Sequence, residues 1–284
     1  INGRKVTFIT YDDGFQPPKT VEMVRKLVED DHVFSTFQLL GTATNTVVQK
    51  YLNQKKVPQL FVATGASKWG MPKEFPWTMG WQPDYVSEAT IYAKHIQENH
   101  KGAKIGMLYQ NDDAGKDYLH GFQKGLGADA KQLVAAMSYE ATDPTVDSQV
   151  IQIKSSGVDV FFNACAPKAA AQAIRKVADL GWKPAHYLAN VSASVASTLK
   201  PAGLENSKGI LTAYYLKDPT DPQWETTPDF VEWKAFMTKY MPGANMADAS
   251  YVYAYSVSTT MRHVLTRCGD ELTRANLMKQ AASM

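Results

Sequence analysis

The chain has 284 residues, of which 44% are hydrophobic, 20% charged and 11% aromatic, enough for one large globular domain or two ordinary ones. That composition excludes disordered and collagen-like chains. With 30 Lys and Arg against 28 Asp and Glu, the net charge is +2 and no basic run appears, which does not suit a nucleic-acid binder; the densest apolar stretch, residues 158–162, is one strand long and too short to span a membrane.

Strand and helix patterns alternate along the chain. Residues 6–11 predict a strand ending at Asp12-Asp13-Gly14. Pro17 and Pro18 suit the first turn of a helix carrying Val21, Val24, Leu27 and Val28 on one face. Residues 33–40 predict the next strand; Gly41-Thr42-Ala43-Thr44 then opens a helix to about Gln54. Residues 58–63 predict a third strand, which ends in Thr64-Gly65-Ala66-Ser67. After an irregular stretch from Trp69 to Trp81, a helix over 83–100 carries Val86, Ala89, Ala93 and Ile96 at spacings of three and four.

Residues 104–109 predict a strand, followed by Asn111-Asp112-Asp113-Ala114-Gly115 and a helix to about Gly127. A strand over 133–139 comes next. Asp143 and Pro144 read as the cap and first turn of a helix with Val146, Val150 and Ile153, stopped by Gly157. Residues 158–162 are a strand, and an Ala-rich helix runs from Pro167 to a stop at Gly181. Later strands fall at 185–189 and 209–213, and helices at 228–240, 247–268 and 273–282.

Repeated strand, small-residue loop and helix is the pattern of an α/β fold with parallel sheets covered by helices on both faces. The alternation breaks twice, at 69–83 and at 214–227, which predicts two lobes. The expected division is 1–80 with 217–284 as one lobe and 83–212 as the other, with a hinge near 80–83 and 213–217.

Catalytic signatures are few. There is no HExxH, Walker A or GxSxG motif, and no GxGxxG follows a strand, so no cofactor is implied. Ser197-Thr198-Leu199-Lys200 matches SxxK without its companion motifs. A hydrolase pairing of Ser67 with His186 lacks a defensible third member. His95 and His100 are five apart, wrong for a shared helical face, and read as solvent-facing. Asp12-Asp13, Asp112-Asp113 and Asp143/Asp147 each follow a strand or open a helix, where carboxylates cap N–H groups. Cys165 and Cys268 lie in no ligand cluster, and their spacing alone leaves a disulfide open.

Two small-residue loops after neighbouring strands, 41–44 and 64–67, have two readings. Thr42 and Ser67 are either ordinary helix caps or part of a carboxylate site made of exposed N–H groups and hydroxyls beyond the strand ends.

Several stretches taken together resemble the branched-chain-amino-acid type of periplasmic solute-binding protein, the receptors of ABC importers. They are Leu40-Gly41-Thr42-Ala43-Thr44-Asn45, the run from Lys56 to Ala66, Tyr11-Asp12-Asp13, the run from Asn111 to Tyr118, the run from Asp143 to Asp147, and the run from Ala171 to Lys176. The resemblance implies a type I fold of two Rossmann-like lobes joined by a hinge, with a small carboxylate-bearing ligand trapped on closure and no chemistry done. It also implies a periplasmic, secreted monomer that works with a membrane permease without entering the membrane itself.

Carried over residue by residue, it places the ligand's carboxylate and amino group at Gly41 and Thr42 and at Gly65, Ala66 and Ser67. Trp81 falls at the first hinge crossing. Ala114 stands where the family often has an aromatic, and Cys165 and Ala166 form a wall that lacks another; a polar contact falls near Asn190 and Ser192. These small residues imply a roomy pocket. A strand and helix of the family before Gly3, and segments after Met284, have no counterpart in the sequence. The start at Ile1, without Met or a leader pattern, reads as a processed or trimmed chain. The same fold also serves sensory or regulatory domains that bind amides or amino acids, which is the alternative function.

Overall fold

A computed structural model describes residues 1–284 and resolves them into two compact units, Ile1–Asp84 with Ser256–Met284, and Tyr85–Tyr255.

In the first unit, α1 (Pro17–Glu29), β1 (Thr36–Phe37), α2 (Thr42–Gln54) and β2 (Gln59–Val62) follow the expected alternation, and β3 (Thr78–Gly80) lies within the stretch expected to be irregular. The sheet is parallel, in the order β1-β2-β3, and the central β2 is buried along its whole length. Val24 of α1 and Val48 and Leu52 of α2 meet Val57 in one apolar cluster. Each is almost fully buried, worth about 1.5–3 kcal/mol per side chain.

Two strand expectations change here. Residues 6–11 belong to no strand, and Val6 and Phe8 are 57% and 69% exposed. An alternating pattern becomes a strand only when a neighbour completes its hydrogen-bond ladder. The Phe8 ring meets Phe37 edge-on at 6.4 Å without such a ladder. The strand expected over 33–40 shrinks to β1, with Leu40 bridging Ala63 alone. Positive φ at Gln38 (59°) and Phe61 (52°) interrupts the pairing with β2.

The second unit holds α3 (Tyr85–Asn99), β4 (Ile105–Gln110), α4 (Asp113–Leu126), β5 (Leu133–Tyr139), α5 (Asp147–Ser155), β6 (Val160–Ala164), α6 (Pro167–Asp179), β7 (Ala185–Leu188), a single turn α7 (Lys200–Ala202), β8 (Leu211–Thr212) and α8 (Pro228–Tyr240). Its five strands are parallel, in the order β5-β4-β6-β7-β8. Successive residues of β6 point to opposite faces. Phe161 joins Val150, Ile153 and Ile174 under α5 and α6. Phe162 joins Tyr92, Ile96 and Phe122 under α3 and α4. This two-sided burial explains why β6 reads as a continuous apolar run.

Helix α5 starts three residues later than a cap at Asp143 predicts. The Asp143 carboxylate accepts the Glu140 N–H at 2.9 Å and closes a turn there, so Asp147 opens the helix and pairs with Lys176 of α6 at 2.5 Å. The segment after β8 also departs from the expected division. Phe230, Trp233 and Met237 of α8 cluster with Leu216, Trp224 and Val252, and Ser194 donates to Asp248 at 3.2 Å. By packing, the chain therefore leaves the second unit at Tyr255, not at 213–217.

That exit lies inside α9 (Ala249–Arg267), which is followed by α10 (Arg274–Ala281). Arg274 donates to the carbonyls of Val33 and Phe34, fastening α10 to the approach to β1. No helix is long and apolar enough to cross a membrane. Cys165 and Cys268 are both free thiols, buried in different units.

Candidate functional site

The first unit brings the two small-residue loops together. Gly41 donates its N–H to the Ala63 carbonyl at 3.3 Å, and the hydroxyls of Thr42 and Thr64 are hydrogen-bonded to each other. Both threonines are buried, as are Gly65 and Ala66, whereas Ser67 is exposed. Thr42 is the first residue of α2 and makes no cap; Gly41 holds the cap position with no side chain to offer. Neither Thr42 nor Ser67 is therefore an N-cap residue, Ser67 being the first residue of a short 3-10 turn after Ala66. The first N–H groups of α2 have no intrahelical acceptor and carry the positive end of the helix dipole.

Three amide side chains, Asn45 and Gln59 buried and Asn53 half-buried, hold this corner in place. Asn45 donates to the carbonyls of Leu39 and Gly41, each at 2.7 Å. Gln59 of β2 donates to Asn45 Oδ1 at 2.8 Å and accepts from Thr78 of β3 at 2.9 Å. Asn53 donates to Thr78 at 2.8 Å and accepts the Trp77 N–H at 2.9 Å. A helix, a loop and two strands are thus tied by one polar chain. Its signal in the sequence was present: an Asn one turn into a helix and a Gln at the start of an apolar strand.

Gly41 has φ +91° and ψ 153°, a conformation open to glycine alone. A Cβ there would also stand 2.7 Å from Phe15 Cζ and 2.9 Å from Thr44 Oγ1. Phe15 is held against the loop by Asp13, which accepts the Phe15 N–H at 2.8 Å and the Thr20 hydroxyl at 2.5 Å. Gly41→Ala is expected to destabilise the first unit by about 2 kcal/mol. Removing the ring as well, in Phe15→Ala/Gly41→Ala, should recover only part of that, because the dihedral penalty stays. A denaturation midpoint unchanged by Gly41→Ala would contradict the strained-loop reading.

The second unit contributes its own strand ends. Asp112 caps α4 by accepting the Gly115 N–H at 3.0 Å, as the capping reading expects; Ala114 is half-buried against the apolar cluster that includes Tyr118 and Phe162. Cys165 does not form a wall. It is fully buried in the core with Val150, Phe161 and Ile174, and its Sγ faces the Leu108 carbonyl at 3.7 Å. A small apolar side chain following a wholly buried strand is drawn inward, and burial pushes the Cys165 thiol value well up. The Ala166 N–H is already spent on the Tyr139 hydroxyl at 2.9 Å, so only its methyl is left to line a site.

Asn190, after β7, is firmly placed: its N–H goes to Glu88 at 2.7 Å and its Nδ2 to the Ala213 carbonyl at 3.0 Å. Ser192 donates to the Cys165 carbonyl at 2.6 Å. Trp81, in the first unit, donates to Thr260 of α9 at 3.1 Å.

His186 is buried beside Asn163 and Phe161 in the second unit, with its value pushed down to about 3, so the ring stays uncharged; Ser67 belongs to the first unit. No cluster of three His, Cys, Asp or Glu is placed to hold a metal. His95 is exposed and meets the Tyr187 hydroxyl at 2.9 Å.

A sequence profile described as periplasmic binding protein matches residues 1–284. The chain belongs to the periplasmic binding protein family. Solved structures agree on the fold, which is the type I fold of that family. A possible leucine/isoleucine/valine-binding protein from Rhodopirellula baltica SH 1 superposes with a TM-score of 0.82 at 17% identity, over 96% of this chain and 73% of the other. A fatty acid ABC transporter substrate-binding protein from Thermomonospora curvata gives 0.81 at 20% identity, over 100% and 71%. A branched-chain amino acid ABC transporter protein from Thermus thermophilus with bound valine gives 0.81 at 15%, over 95% and 69%. No curated protein matches the chain in sequence. This periplasmic binding protein therefore carries the expected architecture, a solute-binding fold of two parallel-sheet units.

Proposed function

We propose that this periplasmic binding protein is the substrate-binding component of an ABC importer, taking a small carboxylate with an apolar body and releasing it unaltered to a permease in the membrane. The observation that carries the reading is the junction of the Gly41–Thr42 and Thr64–Ser67 loops. Two hydroxyls bonded to each other share one proton and leave the second available to an acceptor. The N-terminus of α2 adds N–H groups and a favourable dipole for an anion. The ligands named for two of the structural neighbours, a fatty acid and valine, share a carboxylate on an apolar body.

In the proposed complex Gly41, Thr42, Gly65, Ala66 and Ser67 orient the carboxylate. Ala114, Ala166 and Asn190 are the residues of the second unit that the family resemblance assigns to the ligand. Apolar burial supplies most of the affinity, and the carboxylate contacts set orientation. The protein acts in the periplasm as a monomer.

The test is a thermal-shift and calorimetry panel of L-leucine, L-valine, octanoate and benzoate with their amides. At least one acid is expected to bind where its amide does not. At one hundred times its Kd it should add about 2.7 kcal/mol of stability. Ser67→Ala should weaken that acid roughly tenfold, the loss of one hydrogen bond to a charged group. Binding of none of the acids, affinity indifferent to Ser67→Ala, or chemical conversion of the bound compound would each defeat the reading.

A further inference from the structure

The second unit contains a carboxyl group that the proposed site does not use. Glu88 lies in the first turn of α3, half-buried as a residue, with its carboxyl turned inward. Its Oε1 accepts the Asn190 N–H at 2.7 Å and its Oε2 accepts the Tyr118 hydroxyl of α4 at 2.9 Å. The network continues beyond it. Asn190 Nδ2 donates to the Ala213 carbonyl, the Ala213 N–H donates to the Tyr92 hydroxyl at 2.9 Å, and that hydroxyl donates to the Leu188 carbonyl at 2.9 Å. One carboxyl on α3 therefore fixes where the backbone leaves β7 and, through Asn190 and Tyr92, where it leaves β8.

We propose that Glu88 is a proton-operated positioning residue: its carboxylate holds the loop that starts at Asn190 in the ligand-ready position, and protonation loosens that loop. The proposal rests on the reading of Asn190 as a ligand contact, but its first test needs no ligand.

The chemistry follows from the partners. A backbone N–H can only donate, so Oε1 must remain an acceptor, and its bond to Asn190 is strongest when the group is charged. Tyr118 also donates. A proton on Oε2 would confront that donor with another donor, and the Tyr118 hydroxyl would have to turn. The groups that face the carboxyl are tyrosines: Tyr92 from α3, Tyr118 from α4, and Tyr215 from the segment after β8, with Tyr85 stacked on Tyr118 at 4.5 Å. Burial pushes its value up to about 7, and the bonds to Asn190, Tyr118 and Tyr92 oppose that rise. The buried His186 stays uncharged across the same range.

The experiment follows the Asn190 amide in 15N-labelled protein by NMR, with hydrogen exchange corrected for its intrinsic pH dependence. Between pH 5.5 and 8 its protection should rise at least fivefold and its chemical shift should titrate once. Glu88→Gln should abolish the titration. Tyr118→Phe, which removes one bond that favours the charged form, should move the midpoint upward while leaving Asn190 bonded. That variant keeps the proposal testable if Glu88→Gln folds poorly.

The second readout is the affinity for whichever of L-leucine, L-valine, octanoate or benzoate binds. It should strengthen at least threefold from pH 5.5 to 8 in the wild type and stay level in Glu88→Gln. If none of the four binds, the proposed function fails while the amide measurement still decides the role of Glu88. An Asn190 amide that does not titrate, or one that titrates alike in Glu88→Gln, overturns the proposal. So does an affinity whose pH dependence survives Glu88→Gln.

Discussion

Asn45→Leu should be the most damaging single change in the first unit, costing about 4 kcal/mol. The replacement is close in volume, so packing is not the reason. The variant loses two hydrogen bonds to the carbonyls of Leu39 and Gly41, each worth about 1 kcal/mol. It also strands the Gln59 Nε2 donor, whose good acceptor is Asn45 Oδ1 and whose remaining contact, the Asn45 carbonyl, is 3.4 Å away. An orphaned buried donor adds about 1–3 kcal/mol. Both side chains are fully buried, so water does not replace the lost partner.

The claim has a sharper form than a single midpoint. Because Asn45 and Gln59 share one bond, their changes are not additive. Gln59→Leu should cost markedly less in the Asn45→Leu background than in the wild type. Chemical denaturation, with hydrogen exchange read over residues 41–62, measures both. Additive costs, or a loss below about 1 kcal/mol for Asn45→Leu, would show that the polar chain does not hold this corner.

The contrast between what the sequence disclosed and what it hid follows from the range of the forces involved. Periodicity is local, so α2, α6 and α8 emerge within a residue or two of their expected bounds. β6 is equally visible, because burial on both faces leaves an unbroken apolar run. Residues 6–11 have the same local pattern but no ladder partner, and no local signal reports the absence of a neighbour. The start of α5 was misplaced because Asp143 can cap a helix or close a turn, and the choice depended on the Glu140 amide. The grouping of residues 216–255 rests on Phe230, Trp233 and Val252 meeting one another, which is tertiary.

The site shows the same divide. Gly41 and the paired threonine loops were legible from strand-end position and small residues. Cys165 was misread, since a wall residue and a core residue look alike one step past a buried strand. Glu88 was overlooked although Tyr85, Glu88 and Tyr92 fall on one face of α3, three and four apart. A carboxylate within an aromatic stripe was the available sign, but the Asn190 partner that gives it meaning lies 102 residues further on.

Glu88 also makes a second, opposite prediction, for stability. Its value is about 7 in the folded chain against an ordinary 4.5. Below 4.5 the group is protonated in both states and favours neither. Between 4.5 and 7 the unfolded chain releases the proton while the folded chain retains it, so stability falls as pH rises through that window; above 7 both states are ionised and the loss is complete. At 1.36 kcal/mol per pH unit the full difference is about 3 kcal/mol, and partial exposure of the residue reduces the expectation to about 2.

His186 of the same unit, its value pushed down to about 3 against an ordinary 6.5, acts in the opposite sense over the lower part of this window, so the test is the difference between two proteins: raising the pH from 5 to 8 should cost the wild type about 2 kcal/mol more than it costs Glu88→Gln. Asp112, also raised by burial, acts in the same sense and is left intact in that variant, so comparing the two proteins isolates Glu88. Asp147 and Asp229, held low by their lysine partners, act in the opposite sense and only below their ordinary range, which keeps them out of the window. Equal slopes in the two proteins would remove Glu88 from the account. The two trends are compatible because they measure different things. Ionising the carboxyl costs the whole unit its desolvation penalty, and the same charge tightens the one bond that places Asn190.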